Sequence, residues 1–123
     1  MRRSIHILLL ILALTTCAQG RSPETVIQTW ADAAKASDYA TAEGLMTGDA
    51  FAKMTWREPH IRYHKAGRLQ QYTIAEGPTA TGQSHTATLR WTGNIEPLCI
   101  TVQVDEGGKL TPLSDYDLCE VAP

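Results

Sequence analysis

The spacing of apolar residues changes once along this chain, at Gly67, and that change limits the fold more than any other feature. Before it, apolar residues recur every three or four positions; after it, they alternate. Ser22-Pro23-Glu24 opens a helix, with Ser as N-cap, Pro at the first helical position and an acid suited to the dipole. Val26, Ile27, Trp30, Ala33 and Ala34 share one face of it, Gln28, Asp32 and Lys35 lie outside that face, and the helix runs to about Ser37. Asp38 caps a shorter helix carrying Tyr39, Ala42, Leu45 and Met46, which Gly48 ends. Asp49 caps a third over Ala50 to Arg57, with Phe51, Met54 and Trp56 as its apolar contacts. Glu58-Pro59 interrupts that segment. His60 to Ala66 then fits either a strand, by alternation of Ile61 and Tyr63, or a turn or two of helix framed by Pro59 and Gly67; helix is the expected form.

Beyond Gly67 the chain predicts strands over Leu69 to Ala75, His85 to Thr92 and Leu98 to Val104, and a fourth beginning at Leu110. Glu76 to Ser84 serves as a connection and Asp105 to Lys109 as a turn. Ala87, Leu89 and Trp91 fall on one face of the second strand, and Leu98, Ile100, Val102 and Val104 on one face of the third. The expected fold class is α+β: N-terminal helices packed on a curved antiparallel sheet of about four strands, since each apolar face needs the other for burial.

The chain has 123 residues, 43% apolar and 20% charged, which is ordinary globular composition for a single domain. Arg2 and Arg3 followed by the apolar run Ile5 to Leu14 form a signal peptide pattern, too short to span a bilayer, so residues 1–16 are expected to be removed. Loss of those two arginines leaves nine Lys and Arg against thirteen Asp and Glu, a balance that argues against a nucleic-acid partner. Leu14-Thr15-Thr16-Cys17 resembles the lipobox of bacterial lipoproteins, which implies cleavage before Cys17 and lipidation of its thiol. Thr16 departs from the usual Gly, Ala or Ser. Residues 17–21 then form a short tether, and residues 22–123 the domain. The competing exit is a cut after Ala18-Gln19-Gly20, giving a soluble secreted protein.

Three cysteines in an exported chain leave one over. With Cys17 assigned to lipid, Cys99 and Cys119 remain as a pair, either bonded or as two buried thiols. Geometry sets a condition on the bond. If Val104 pairs with Leu110, Cys99 lies opposite Asp115, and Cys119 is about 13 Å further along an ideal strand. A disulfide needs Cα atoms within about 7 Å. Pro112 cannot donate to a ladder, so the strand is expected to break or bulge over Thr111 to Asp115, with Tyr116 to Val121 re-entering in a shifted register.

Ser22-Pro-Glu-Thr-Val26, Trp30, Lys35-Ala-Ser-Asp38-Tyr39, Ala42 and Leu45, with Gly67-Arg68-Leu69, Tyr72 and Ile74, resemble small bacterial lipoproteins of unknown function with a nuclear transport factor 2-like, or cystatin-like, domain. The likeness covers about Ser22 to Leu110. Lys109-Leu110 stand where many relatives place a tryptophan, and the chain is short beside the larger enzymes of that superfamily. The resemblance implies a curved sheet wrapped around a long helix, often as a cone with a pocket, for which Trp30, Tyr72 and Trp91 are the candidate lining. Such folds host isomerases, dehydratases and plain binding modules, so the likeness speaks to shape more than to activity.

Three groups of side chains could carry chemistry. His60 and His64, four apart, could share a helical face as metal ligands with His85 as a third, but two exposed histidines are the expected outcome, and neither a metal nor another cofactor is implied. Tyr63, Tyr72, His85 and Asp49 can be nominated for acid-base work inside a cone, yet none matches a catalytic motif, and no nucleophile, phosphate loop or nucleotide fingerprint appears. Lys53, Arg57, Arg62, Lys65 and Arg68 concentrate five cations within sixteen residues, with Glu58 the only acid among them. They form either a face for anionic headgroups or an acidic partner, or a solvated face balanced by Asp105, Glu106, Asp115, Asp117 and Glu120. The expected function is that of a non-catalytic, membrane-tethered envelope lipoprotein binding an envelope partner or a small apolar ligand. The alternatives are an acid-base enzyme and a soluble secreted binding protein.

Overall fold

The computed structural model describes residues 21–94 and 96–120, so the signal segment, Cys17 and most of the tether lie outside the described residues. Three helices precede a sheet: α1 (Pro23–Lys35), α2 (Tyr39–Gly44) and α3 (Ala50–Lys65), then β1 (Gln71–Thr81), β2 (Ser84–Thr92), β3 (Leu98–Val104), β4 (Leu110–Pro112) and β5 (Asp117–Leu118). The strands form one antiparallel sheet in the order β1-β2-β3-β4, with β5 also paired to β3. The fold class is α+β.

The caps form where the sequence places them. Ser22, Asp38 and Asp49 each accept a hydrogen bond from the backbone N–H three residues on, at the starts of α1, α2 and α3. Val26, Ile27, Trp30, Ala33 and Ala34 of α1 are buried as their spacing requires, and Ala31 joins them. The corner between α1 and α2 turns on Ser37, whose φ is 58°, with Asp38 N–H bonding the Ala33 carbonyl at 2.8 Å. Their target is the inner face of the sheet: Ala87, Leu89 and Trp91 stand opposite Val102, Ile100 and Leu98 in register, and all six are buried.

Four local expectations are corrected. α2 ends at Gly44 rather than Gly48, because Leu45 and Thr47 leave the helix to bond the backbone of Leu110. Pro59 does not interrupt α3: the helix continues through it to Lys65, since Trp56 before it and His60 and Tyr63 after it all enter one core. Phe51 and Met54 do not pack inward but are exposed, the buried side of α3 being set by Trp56 and His60. The stretch from Glu76 to Thr81 is not a connection but the second half of β1. Register shifts at Ile74/Glu76 and Glu76/Thr79 absorb the misfit, and Pro78 is tolerated because β1 is an edge strand whose outer N–H groups need no partner.

The anticipated break before Cys119 is present. β4 keeps Val104 opposite Leu110 as far as Pro112, the chain loops out, and β5 re-enters with Cys99 opposite Asp117 instead of Asp115. That slip brings Cys99 and Cys119 to a Cα separation of 4.9 Å, and they are bonded. The excursion also drives Tyr116 into the core, where it is 5% exposed.

Gly93, just after β2, packs directly on the backbone of Gly67 and Arg68. A Cβ there would stand against the Arg68 carbonyl and 2.7 Å from the Gly67 oxygen. Gly93→Ala is therefore expected to lower the urea midpoint by the equivalent of roughly 1–3 kcal/mol, as overpacking against rigid groups does. An unchanged midpoint would show that this junction can open at no cost.

Candidate functional site

α3 and the looped segment between β4 and β5 are the two walls of a cleft of about 490 Å³. Ala52, Thr55, Trp56 and Pro59 come from the helix, Thr111 to Tyr116 from the opposite wall, and Met46 and Ile100 also line it. The apolar surfaces of Met46, Trp56, Ile100 and Tyr116 are largely buried, so what remains open to a ligand is a thin apolar strip with Leu113 exposed among the residues that line it. Pro112 does not itself break the ladder, since it pairs in register with Val102 and the Leu113 N–H still bonds the Thr101 carbonyl at 2.8 Å; the chain loops out after Leu113, and that loop, followed by the slip in register, forms this wall.

Behind Tyr116 lies His60, with no exposed surface. Both ring nitrogens are engaged, Nε2 with the Ala34 carbonyl at 2.8 Å and Nδ1 with the Tyr116 hydroxyl at 3.0 Å. A carbonyl can only accept, so Nε2 carries the proton and donates, and Nδ1 accepts from Tyr116. The ring is surrounded by aromatic side chains: Trp56, Tyr39, Trp91, Tyr116 and His64 all have ring centroids within 6.0 Å. Burial lowers its pKa to about 4, the Ala34 carbonyl acting against this and His64 adding a smaller lowering. Burial likewise pushes the Tyr116 phenol far up, opposed by the nearby Trp56 indole N–H and reinforced by Tyr39. Trp56 Nε1 makes no well-aligned hydrogen bond, so its effect on Tyr116 is one of proximity.

This arrangement corrects the expectation of two solvent-facing histidines. His64 is exposed, but His60 is a core residue that ties α3 to the last turn of α1. With both nitrogens committed, His60 has no lone pair for a metal, and His85 lies at the opposite end of β2 from Trp91. No group of three or more His, Cys, Asp or Glu positioned to hold a metal occurs among the described residues. Trp30 and Trp91, the expected pocket lining, are fully buried and pack as core; Tyr72 rests on Trp91 with ring centroids 5.2 Å apart. The Tyr72 hydroxyl donates to Asp32 at 2.8 Å, and its pKa rises to about 12 through burial first and Asp32 second. Of the other residues nominated for acid-base work, Asp49 serves as the cap of α3, and Tyr63 packs edge-on against Tyr116. Neither is brought to His60 as a catalytic partner would be. Of the cleft residues, Met46 and Ile100 are legible in the sequence only as apolar face positions, and Leu113 and Tyr116 carry no signal that would place them at a cleft.

The five cations do not make one face. Arg57 is taken up by Glu43, to which Nε and a terminal nitrogen bond at 2.8 and 2.6 Å, and its guanidinium lies 5.1 Å over the Tyr39 ring. Arg68 stacks 5.6 Å over Tyr63. Lys53 is half-buried on the Arg57 side of α3, while Arg62 and Lys65 are exposed near its C-terminus. No helix among the described residues is long and apolar enough to cross a membrane. No protein-family model, curated protein or solved structure matches this chain.

Proposed function

We propose that this chain is a non-catalytic lipoprotein of the cell envelope. Its N-terminal signal is removed, Cys17 carries the lipid, residues 17–21 tether it to the outer side of the cytoplasmic membrane or to the outer membrane, and residues 22–123 form a nuclear transport factor 2-like binding module. The module takes a small apolar ligand, or an apolar side chain of an envelope partner, in the cleft between α3 and the β4–β5 loop. The observation that carries this reading is the filled interior: Trp30, Trp91 and His60 occupy the space behind the sheet, so the concave apolar surface left open between α3 and the sheet is the cleft. The same packing weighs against the acid-base enzyme, because a histidine with no exposed surface and both nitrogens engaged cannot reach a substrate. The bonded Cys99–Cys119 pair supports the anchor, since it leaves Cys17 as the unpaired third cysteine.

Two measurements test the two halves. Intact mass of the protein extracted from its host's membranes should show a diacylglyceryl-sized increment on a chain beginning at Cys17; a lipid-free chain beginning near Arg21 would make it a secreted binding protein instead. For the cleft, saturable binding of an apolar fluorescent probe such as anilinonaphthalene sulfonate is expected, and Ala52→Trp, which fills the cleft from an exposed helical position, should weaken it at least tenfold. Equal binding by that variant would remove the cleft from consideration.

A further inference from the structure

The side of α3 turned away from the sheet presents Phe51, Met54, Glu58, Ile61 and Lys65 at three- and four-residue spacing, with Arg62 beside Ile61, opposite the buried Trp56 and His60 and the half-buried Tyr63. Phe51 is 76% and Met54 53% exposed. Arg62 and Lys65 make no ion pair among the described residues, where the one salt bridge formed by α3 is that of Arg57 with Glu43. The opposite side of the molecule has the reverse charge. α1 and α3 cover the inner face of the sheet, and on its outer face Glu76, Asp117 and Glu120 line one hollow with Arg90 as its single cation, while Asp115 stands between this hollow and the cleft. A lone exposed apolar residue is unremarkable. Two on one helical turn, followed along the same side by Glu58 and then by two cations with no ion pair among the described residues, and backed by acids on the far side, make a charge-separated body with an apolar tip. A negatively charged lipid surface attracts the helical side, repels the sheet side and gives the apolar pair somewhere to go. A second copy of this chain packed through the same face would instead bring Arg62 and Lys65 against their own counterparts.

We infer that α3 lies along an anionic membrane surface, with Phe51 and Met54 entering the headgroup boundary and Arg62 and Lys65 pairing with lipid phosphates. This narrows the expected basic face: Arg57 and Arg68 are occupied within the fold and do not belong to it. The inference rests on the anchored reading for its location, but its test does not. The mature lipidated protein is reconstituted in vesicles of phosphatidylcholine, with or without phosphatidylglycerol, and carries a spin label at Met54→Cys or, as control, at Glu76→Cys. In the anionic vesicles the label at position 54 should become accessible to oxygen and protected from a nickel chelate. Arg62→Ser with Lys65→Ser should return it to water, and the label at position 76 should stay in water throughout. A label at position 54 equally open to the nickel chelate in both lipids, on protein whose mass includes the anchor, would overturn the orientation while leaving the anchor standing. If the mature protein carries no lipid, the anchor reading fails separately. Pelleting of that lipid-free protein then decides: at least a tenfold preference for anionic vesicles, lost in Phe51→Ser with Met54→Ser, supports the inference, and no preference overturns it. Protection of position 54 by concentration alone, without lipid, would assign the face to a second copy and likewise overturn it.

Discussion

Between pH 7 and pH 4 the domain is expected to lose about 3 kcal/mol of stability through one side chain, His60. Its imidazole is held neutral, with a pKa lowered to about 4, whereas in the unfolded chain it titrates near its ordinary value of 6.5. The unfolded state therefore binds the extra proton first as pH falls. The contribution is intact above about pH 6.5 and declines steadily as pH drops through the range down to about 4. Structurally, a second ring proton would have to sit on Nδ1, where the Tyr116 hydroxyl now donates, inside an aromatic shell where no carboxylate among the described residues acts on the ring. Urea unfolding at several pH values measures this directly. The control is His60→Phe, which leaves the Ala34 carbonyl and Tyr116 hydroxyl without their partner. It should be less stable than the parent at pH 7, yet its stability should fall far less between pH 6.5 and 4. Parallel curves for the two proteins would mean that another group dominates the acid response.

Removing the Cys99–Cys119 bond is the other change of similar size. The bond joins residues 20 apart, and in the chain-entropy account closing such a loop restricts the unfolded chain by about 3 kcal/mol. It also pins β5, only two residues long, to β3. Cys99→Ala with Cys119→Ala is expected to lower the urea midpoint accordingly. Because β5 holds the end of the loop that walls the cleft, the variant should also bind the apolar probe more weakly at urea concentrations where it is still folded. Addition of reductant to the parent should reproduce both effects and leave the variant unchanged. A parent indifferent to reductant would show that the bond adds nothing to the fold.

These expectations differ in how directly the chain announces them. Ser22, Asp38 and Asp49 mark helix starts because capping is a contact between residues three apart. The alternation of Leu98 to Val104 marks a strand with one buried face because period two is a property of the backbone. In each case the relevant energy lies within a few residues.

The side of α3 that enters the core is of another kind. Phe51 and Met54 are as apolar as Trp56, and Pro59 is a valid stop signal taken alone. Helix continuity and the inward turn of Trp56, His60 and Tyr63 come from partners remote in sequence: Ala34, 26 residues before His60, and Tyr116, 56 residues after it. The same holds for β1, where a Gly-Pro stretch that reads as a loop pairs across to β2 as an edge strand. Periodicity, caps and turn residues thus establish an α+β domain, and the cysteine count leaves Cys99 and Cys119 as a pair whose bond the tertiary structure decides. Which histidine is core, which aromatic is surface and where the cleft opens depend on contacts between distant segments, because burial is a property of assembled layers and not of any one window of sequence.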